Sequence, residues 1–195
     1  MSQMVQTPIR QITLEEFLAL PDTKPASEYI DGEIIQKPMP QGQHSIIQKK
    51  LLFAIDPILS EAGIAQAFPE LRCTFGGRSI VPDVVVFEEA KIAYDVNGDI
   101  ENVFNIPPDW TIEILSPDQS TTKVLKNINH CLAYGTQMGW LIDPKERSVF
   151  VMGIDRTFQI IDEPSTVLPV PVFASSIELT VEQLFSWVKK TAKPE

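Results

Sequence analysis

Two short runs stand out in the pattern of apolar and polar positions: Val81-Pro82-Asp83-Val84-Val85-Val86-Phe87 and Trp110-Thr111-Ile112-Glu113-Ile114-Leu115. Both are rich in β-branched and aromatic residues and lie between turn formers, which predicts two buried strands. Two-residue alternation puts Glu113 on one face with Thr111 and Leu115, and Trp110, Ile112 and Ile114 on the other. Upstream, Thr13 and Glu16 form a capping box for a short helix that Pro21 stops. Asp31-Gly32 between apolar runs predicts a hairpin. Ile47, Leu51, Ala54 and Ile55 follow a helical period from His44 onward, which Pro57 ends or kinks. Gly63 restarts the chain, and Gly76-Gly77 turns it into residues 79–87, so a second hairpin delivers Asp83.

Downstream, Ser116-Pro117-Asp118 predicts a sharp turn, and Ser120 or Thr121 caps a helix that runs to about Tyr134 before Gly135. Gly139-Trp140-Leu141-Ile142-Asp143 is another buried strand. A strand, a crossover helix and a strand imply that it runs parallel to the Glu113 strand. Residues 149–152 and 157–161 predict a third hairpin, and residues 168–172 an extended linker. Thr180 with Gln183 caps a terminal helix. No internal repeat or low-complexity tract interrupts this order.

Composition narrows the class. The 195 residues are 44% hydrophobic and 22% charged, which suits one globular domain with a substantial core. No apolar run approaches the ~20 residues of a membrane span. Met1 to Arg10 lacks the order of a signal peptide. Cys73 and Cys131 fit no metal spacing and read as reduced packing residues, so a cytoplasmic location is expected. The net charge is −10, and residues 81–109 hold seven acids against Lys91 alone. An acidic surface opposes non-specific binding to nucleic acid; any nucleic-acid reading needs a local basic rim and a bound cation. Residues 88–109, with Asn97-Gly98 and Pro107-Pro108, predict an acidic loop outside the central sheet.

The chemistry rests on the two carboxylates. A carboxylate mid-strand in a buried sheet is costly unless it is paired, hydrogen-bonded or bound to a cation. If the strands are neighbours, about 5 Å apart, Asp83 and Glu113 can share one divalent metal. Bland readings compete. Pro-Asp at a strand start is common turn chemistry, and Glu113 can pair with Lys126 alone. His44 can cap or pack its helix, Glu28 and Gln48 can be surface residues, and Lys49-Lys50 can be a solvated face. Trp110 and Trp140 read as core.

The run Tyr29-Ile30-Asp31-Gly32-Glu33, then His44, Pro82-Asp83-Val84-Val85-Val86, Glu113-Ile114-Leu115-Ser116-Pro117, a lysine-bearing helix and Gly139-Trp140-Leu141-Ile142-Asp143-Pro144 resembles the PD-(D/E)XK nuclease superfamily. The similarity is greatest to its restriction-endonuclease-like branch abundant in cyanobacteria. It implies an α/β (α+β) fold with a mixed central sheet flanked by helices, in the order αβββαβ. The nuclease-like core spans about residues 28–152 of one domain, 1–195. A helix at 13–20 and a hairpin plus helix at 153–190 are appended. The resemblance further implies Mg²⁺ or Mn²⁺ held by Asp83, Glu113 and the carbonyl of Ile114. Where the superfamily carries a lysine two residues after the glutamate, this chain has Leu115. The implied substitute is Lys126 on the next helix, with Lys123 as the alternative and Glu28, His44 and Gln48 as accessory residues. The expected activity is endonucleolytic hydrolysis of DNA by a homodimer. The alternatives are a nuclease-fold protein that binds DNA or a partner without cutting it, and a partner-binding domain whose Glu113 only pairs with lysine.

Overall fold

The computed structural model describes residues 12–117 and 119–190. The leader reading of Met1 to Arg10 and the turn role of Asp118 lie outside the described residues. In chain order the elements are α1 (Leu14–Leu18), β1 (Ser27–Ile30), β2 (Glu33–Gln36), α2 (Gly42–Glu61), β3 (Ala65–Pro69), β4 (Cys73–Phe75), β5 (Arg78–Ile80), β6 (Val84–Glu88), β7 (Trp110–Ile114), α3 (Thr121–Ala133), β8 (Met138–Asp143), β9 (Ser148–Gly153), β10 (Phe158–Ile161) and α4 (Val181–Ser186). Six strands make the central sheet, ordered β10-β9-β8-β7-β6-β3, and four make a smaller one, ordered β2-β1-β5-β4. In the central sheet β7 and β8 are parallel, joined through α3 as their crossover pattern predicts. The other central pairs are antiparallel. The sheet is therefore mixed and flanked by helices.

Each face of the central sheet has its own cover. Ile47, Leu51, Ile55 and Leu59 of α2 pack against Val84, Val86, Trp110, Ile112 and Ile114. On the opposite face Val124 and Ile128 of α3 pack on Leu141 and Met152, and Val85 and Phe87 meet the small sheet through Phe75 and Ile80. The approach of α3 to β8 is close: a Cβ at Gly139 would lie 2.1 Å from Ile128 Cγ2. Only glycine permits that spacing.

Three local expectations need correction. The run 79–87 is not one strand; β5 belongs to the small sheet and β6 to the central one. Val81-Pro82-Asp83 carries the chain between them, because Pro82 has no N–H to extend a ladder. Asp83 thus stands at the junction of two sheets, immediately before β6. Of the two outcomes expected at Pro57, an end or a kink, the end does not occur: the helix runs on to Glu61. Ile55 and Leu59, on either side of that proline, are anchored in the core, which offsets the lost backbone bond. Finally, residues 88–109 do leave the central sheet between β6 and β7, with a bridge between Tyr94 and Ile100, but not all of their acids are exposed. Asp109 is fully buried, where it pairs with Lys91 and accepts from the Glu88 N–H and the Gln137 side chain. Burial is tolerable there because each carboxylate oxygen has a partner.

Candidate active site at the sheet junction

The register of β6 against β7 pairs Val84 with Ile112, so the next pair outward is Asp83 opposite Glu113. Both residues are buried, 2% and 4% exposed. The Ile114 N–H donates to Asp83 Oδ2 at 2.7 Å, tying the aspartate to the facing strand. The cation that joins the two carboxylates is Lys37, in the loop that leaves β2. Its Nζ lies 2.7 Å from Asp83 Oδ1 and 3.3 Å from Glu113 Oε2, and donates to the Val81 carbonyl at 2.7 Å.

The accessory residues converge on the same point. His44 and Gln48 are four residues apart and share one face of α2. His44 Nε2 lies 3.0 Å from Asp83 Oδ2, and the Gln48 side chain donates to the Asp83 carbonyl at 2.8 Å. Glu28 on β1 accepts the Val81 N–H at 2.8 Å through Oε1, and Oε2 accepts from Asn127 of α3 at 3.4 Å. Val81-Pro82-Asp83 is therefore held from β1, the β2 loop and α2 together.

Lys123 and Lys126 occupy exposed positions. The register of α3 explains this: Val124, Ile128 and Cys131 face inward, which turns both lysines outward. Leu115, in the superfamily's lysine position, packs against the cluster under α3. Lys37 carries no motif signal. The sequence clue is that it is the one cation between residues 25 and 48, directly after a predicted hairpin.

The Uma2 family model, described as "Putative restriction endonuclease", matches residues 14–182. This chain belongs to the Uma2 family. A crystal structure described as a "putative nuclease" from Anabaena variabilis is 59% identical to it, with a TM-score of 0.89. That match covers 90% of this chain and 98% of the other. No curated protein matches. The Uma2 core is thus a restriction-endonuclease-like fold, and the carboxylate pair occupies the end of its central strands.

Electrostatics in this Uma2 site are lopsided. Three buried carboxyl groups, Glu28, Asp83 and Glu113, surround the single ammonium of Lys37. Burial alone would raise the pKa of Asp83, but Lys37 and His44 hold it well below the usual carboxylate range. Burial, with repulsion from Asp83 and Glu28, pushes Glu113 well above that range despite Lys37. Burial opposes the charge on Lys37, yet Glu113, Asp83 and Glu28 together keep its pKa above that of an ordinary lysine. Asp83 and Lys37 are thus shifted toward their charged forms, and Glu113 and Glu28 toward their neutral ones.

The donor set fits a hard divalent cation. Among the described residues no three His, Cys, Asp or Glu side chains form a ready cage. Mg²⁺ does not require one, because one or two carboxylates plus waters and substrate phosphates complete its shell. The excess of buried negative charge favours a cation at this point, and the imidazole Nδ1 of His44 is buried without a protein partner among the described residues. A cleft of about 690 Å³ opens beside Asp83, lined by Phe17, Lys24, Lys37, His44, Arg72 and Asp83 among others. Lys24, Lys37 and Arg72 in its lining are balanced by Asp22, Glu70 and Asp83, so the cleft is far less acidic than the chain as a whole.

Proposed function

We propose that this Uma2 chain is a Mg²⁺- or Mn²⁺-dependent endonuclease that hydrolyses phosphodiester bonds of DNA. One observation carries the reading: Asp83 and Glu113 face each other across β6 and β7 and both bond the same cationic group, Lys37 Nζ. Asp83, Glu113 and the carbonyl of Ile114 would hold the metal. When bound, the metal polarises the phosphoryl oxygen and lowers the pKa of a coordinated water.

The rest falls to the protein's own side chains. His44 and the Ile114 N–H share Asp83 Oδ2 and fix the carboxylate's orientation. Glu28 and Gln48 hold the backbone on either side of Pro82, so Asp83 cannot drift from Glu113. Lys37 takes the part for which Leu115 is unfit: a positive group beside the carboxylates that meets the charge of the scissile phosphate. Lys126 and Lys123 lie on α3, whose Asn127 touches Glu28, and serve the DNA backbone outside the reacting centre.

A supercoiled-plasmid assay with Mg²⁺ and Mn²⁺ tests this reading. Wild type should nick or linearise the plasmid, and Asp83→Ala or chelation should abolish cutting. The Lys37 bridge also favours a second reading, because an internal ammonium already neutralises the pair. In that case the protein retains DNA without cutting it, and added metal leaves its melting temperature unchanged.

A further inference from the structure

The cleft beside Asp83 is poorly built to grip paired DNA. Its cations are Lys24, Lys37 and Arg72, and two of these are committed inside the protein. Lys37 bonds both carboxylates and the Val81 carbonyl. One guanidinium nitrogen of Arg72 donates to the Ser27 carbonyl and the Ser79 hydroxyl, each at 3.1 Å. The other lies 3.4 Å from Asp22. That leaves Lys24 to meet a phosphate, on a chain whose net charge of −10 repels a polyanion. Duplex binding rests on phosphate contacts, about 6–10 of them in a strong binder.

In place of charge the cleft offers apolar surface and a fixed plane. Leu18 and Leu20 at the end of α1, and Met39 beyond β2, are exposed side chains that line it. The Arg72 guanidinium lies over the Phe17 ring, 5.2 Å from its centroid, and the bonds to Ser27 and Ser79 hold it there. A guanidinium plane held in this way is a platform on which a base can stack. In a duplex the faces of each base are covered by its neighbours, so such groups have little to meet. An unpaired strand presents a π-face at every base. Size agrees with this. A cleft of about 690 Å³ is on the scale of a small-ligand pocket, roughly 300–1,000 Å³. It has room for a nucleotide or two but not for two paired strands. Asp83 is buried, so a phosphodiester reaches it by entering that space.

We infer that the cleft takes an unpaired DNA strand, its bases against Arg72, Leu20 and Met39 and its backbone toward Asp83. The choice of DNA rests on the nuclease reading; the demand for an unpaired strand rests on the cleft itself. Negative supercoiling favours strand opening, so a supercoiled plasmid remains a substrate and a relaxed one becomes a poor one.

Fluorescence anisotropy of the full chain without metal, at about 50 mM salt where phosphate contacts are strong, tests this preference. The probes are a labelled strand free of self-pairing and the duplex of the same sequence. The unpaired strand should bind at least about tenfold tighter. Met39→Ser, at an exposed position that does not threaten folding, should weaken binding of the unpaired strand about fivefold and leave the duplex unchanged. Arg72→Lys keeps the charge and removes the plane, and should weaken it about tenfold. Because Arg72 also braces the small sheet, the Met39 variant decides if the Arg72 variant melts lower. Incubating the same two DNAs with Mn²⁺ separates this preference from the nuclease reading. Selective binding without cutting upholds the preference and removes the nuclease. Cutting together with equal or tighter binding of the duplex overturns the preference and keeps the nuclease. An unpaired strand that fails to bind at about 100 μM protein overturns the preference too, as does a Met39→Ser protein that binds it like wild type.

Discussion

Lys37→Met is the sharpest perturbation of the site. The side chain is 13% exposed and bonds two carboxylates that are themselves 4% and 5% exposed. Methionine keeps the length and apolar stem and removes only the charge and its donors. Two ionised carboxylates about 4–5 Å apart repel by roughly 3–4 kcal/mol at an effective dielectric near 20. Deleting one partner of a buried ion pair typically destabilises by about 3–5 kcal/mol. In a domain of this size each kcal/mol moves the melting temperature by about 2–4 °C, so a fall on the order of 10 °C is expected at pH 8. The pH dependence follows from Glu113. A carboxyl whose pKa is raised in the folded state contributes most below its unfolded value, and that contribution is lost as pH rises through the folded one. Burial raises Glu113 even with Lys37 present. Without the lysine the rise is larger, so the deficit of the variant should shrink toward pH 5 and widen toward pH 8.

The same variant separates structure from catalysis. Lys37 competes with any divalent ion for Asp83 and Glu113, so its removal should enlarge the stabilisation by Mn²⁺ and abolish plasmid cleavage. A ligand at 100 times its dissociation constant stabilises by about 2.7 kcal/mol, which offsets most of the apo deficit. Differential scanning calorimetry with and without Mn²⁺, at pH 5 and pH 8, reads all of these effects. A Lys37→Met protein that melts with wild type and shows the same metal shift would refute the bridging role and the competition together.

Asp83→Asn should erase the Mn²⁺-induced rise in melting temperature; a full rise in that variant would place the cation elsewhere, and isothermal titration would give its stoichiometry. Lys126→Ala and Lys123→Ala should lower cleavage by no more than about tenfold at 150 mM salt, as phosphate contacts do, whereas a loss as complete as that of Lys37→Met in the same assay would transfer the central role to α3. Gly139→Ala should destabilise by about 1–3 kcal/mol in urea denaturation, because the new methyl enters the space of Ile128; an unchanged midpoint would mean that α3 can shift without penalty. Glu28→Gln should keep the acceptor for the Val81 N–H and most of the stability, and Glu28→Ala should lose about 1–3 kcal/mol by stranding that donor. Equal denaturation midpoints for the two would remove Glu28 from the junction.

Much of this arrangement is legible in the sequence because it rests on local rules. The capping boxes at Thr13 and Thr180 form as their spacing dictates, and the strand–helix–strand unit from Glu113 to Asp143 is parallel because a crossover helix leaves no alternative. Asp83 and Glu113 stand out because a lone carboxylate in an apolar strand demands a partner. The break at Pro82 was harder to read. The run 79–87 is apolar enough for one strand, and only the competition of two sheets for its halves splits it. Pro57 misleads in the opposite direction, since core anchoring on both sides overrides its local preference. Lys37 was illegible for a topological reason: it lies 46 residues from Asp83 and 76 from Glu113. A hydrophobic pattern specifies which faces are buried, but not which loop ends above a given carboxylate.

The location of Lys37 also explains how the chain tolerates so acidic a centre. A lysine in the superfamily's ordinary place, two residues after Glu113, would share its strand and its face. Here that place holds Leu115, which adds to the packing under α3. Moving the cation to the loop after β2 gives it a third partner, the Val81 carbonyl, in the same crossover that Glu28 and Gln48 hold. Lys37, Glu28, His44 and Gln48, which help to place Asp83, therefore also tie the small sheet or α2 to the central one. Stability and site geometry are coupled through three consecutive residues, Val81, Pro82 and Asp83. Changes that loosen the sheet junction should reach the carboxylate pair, even when they touch neither Asp83 nor Glu113.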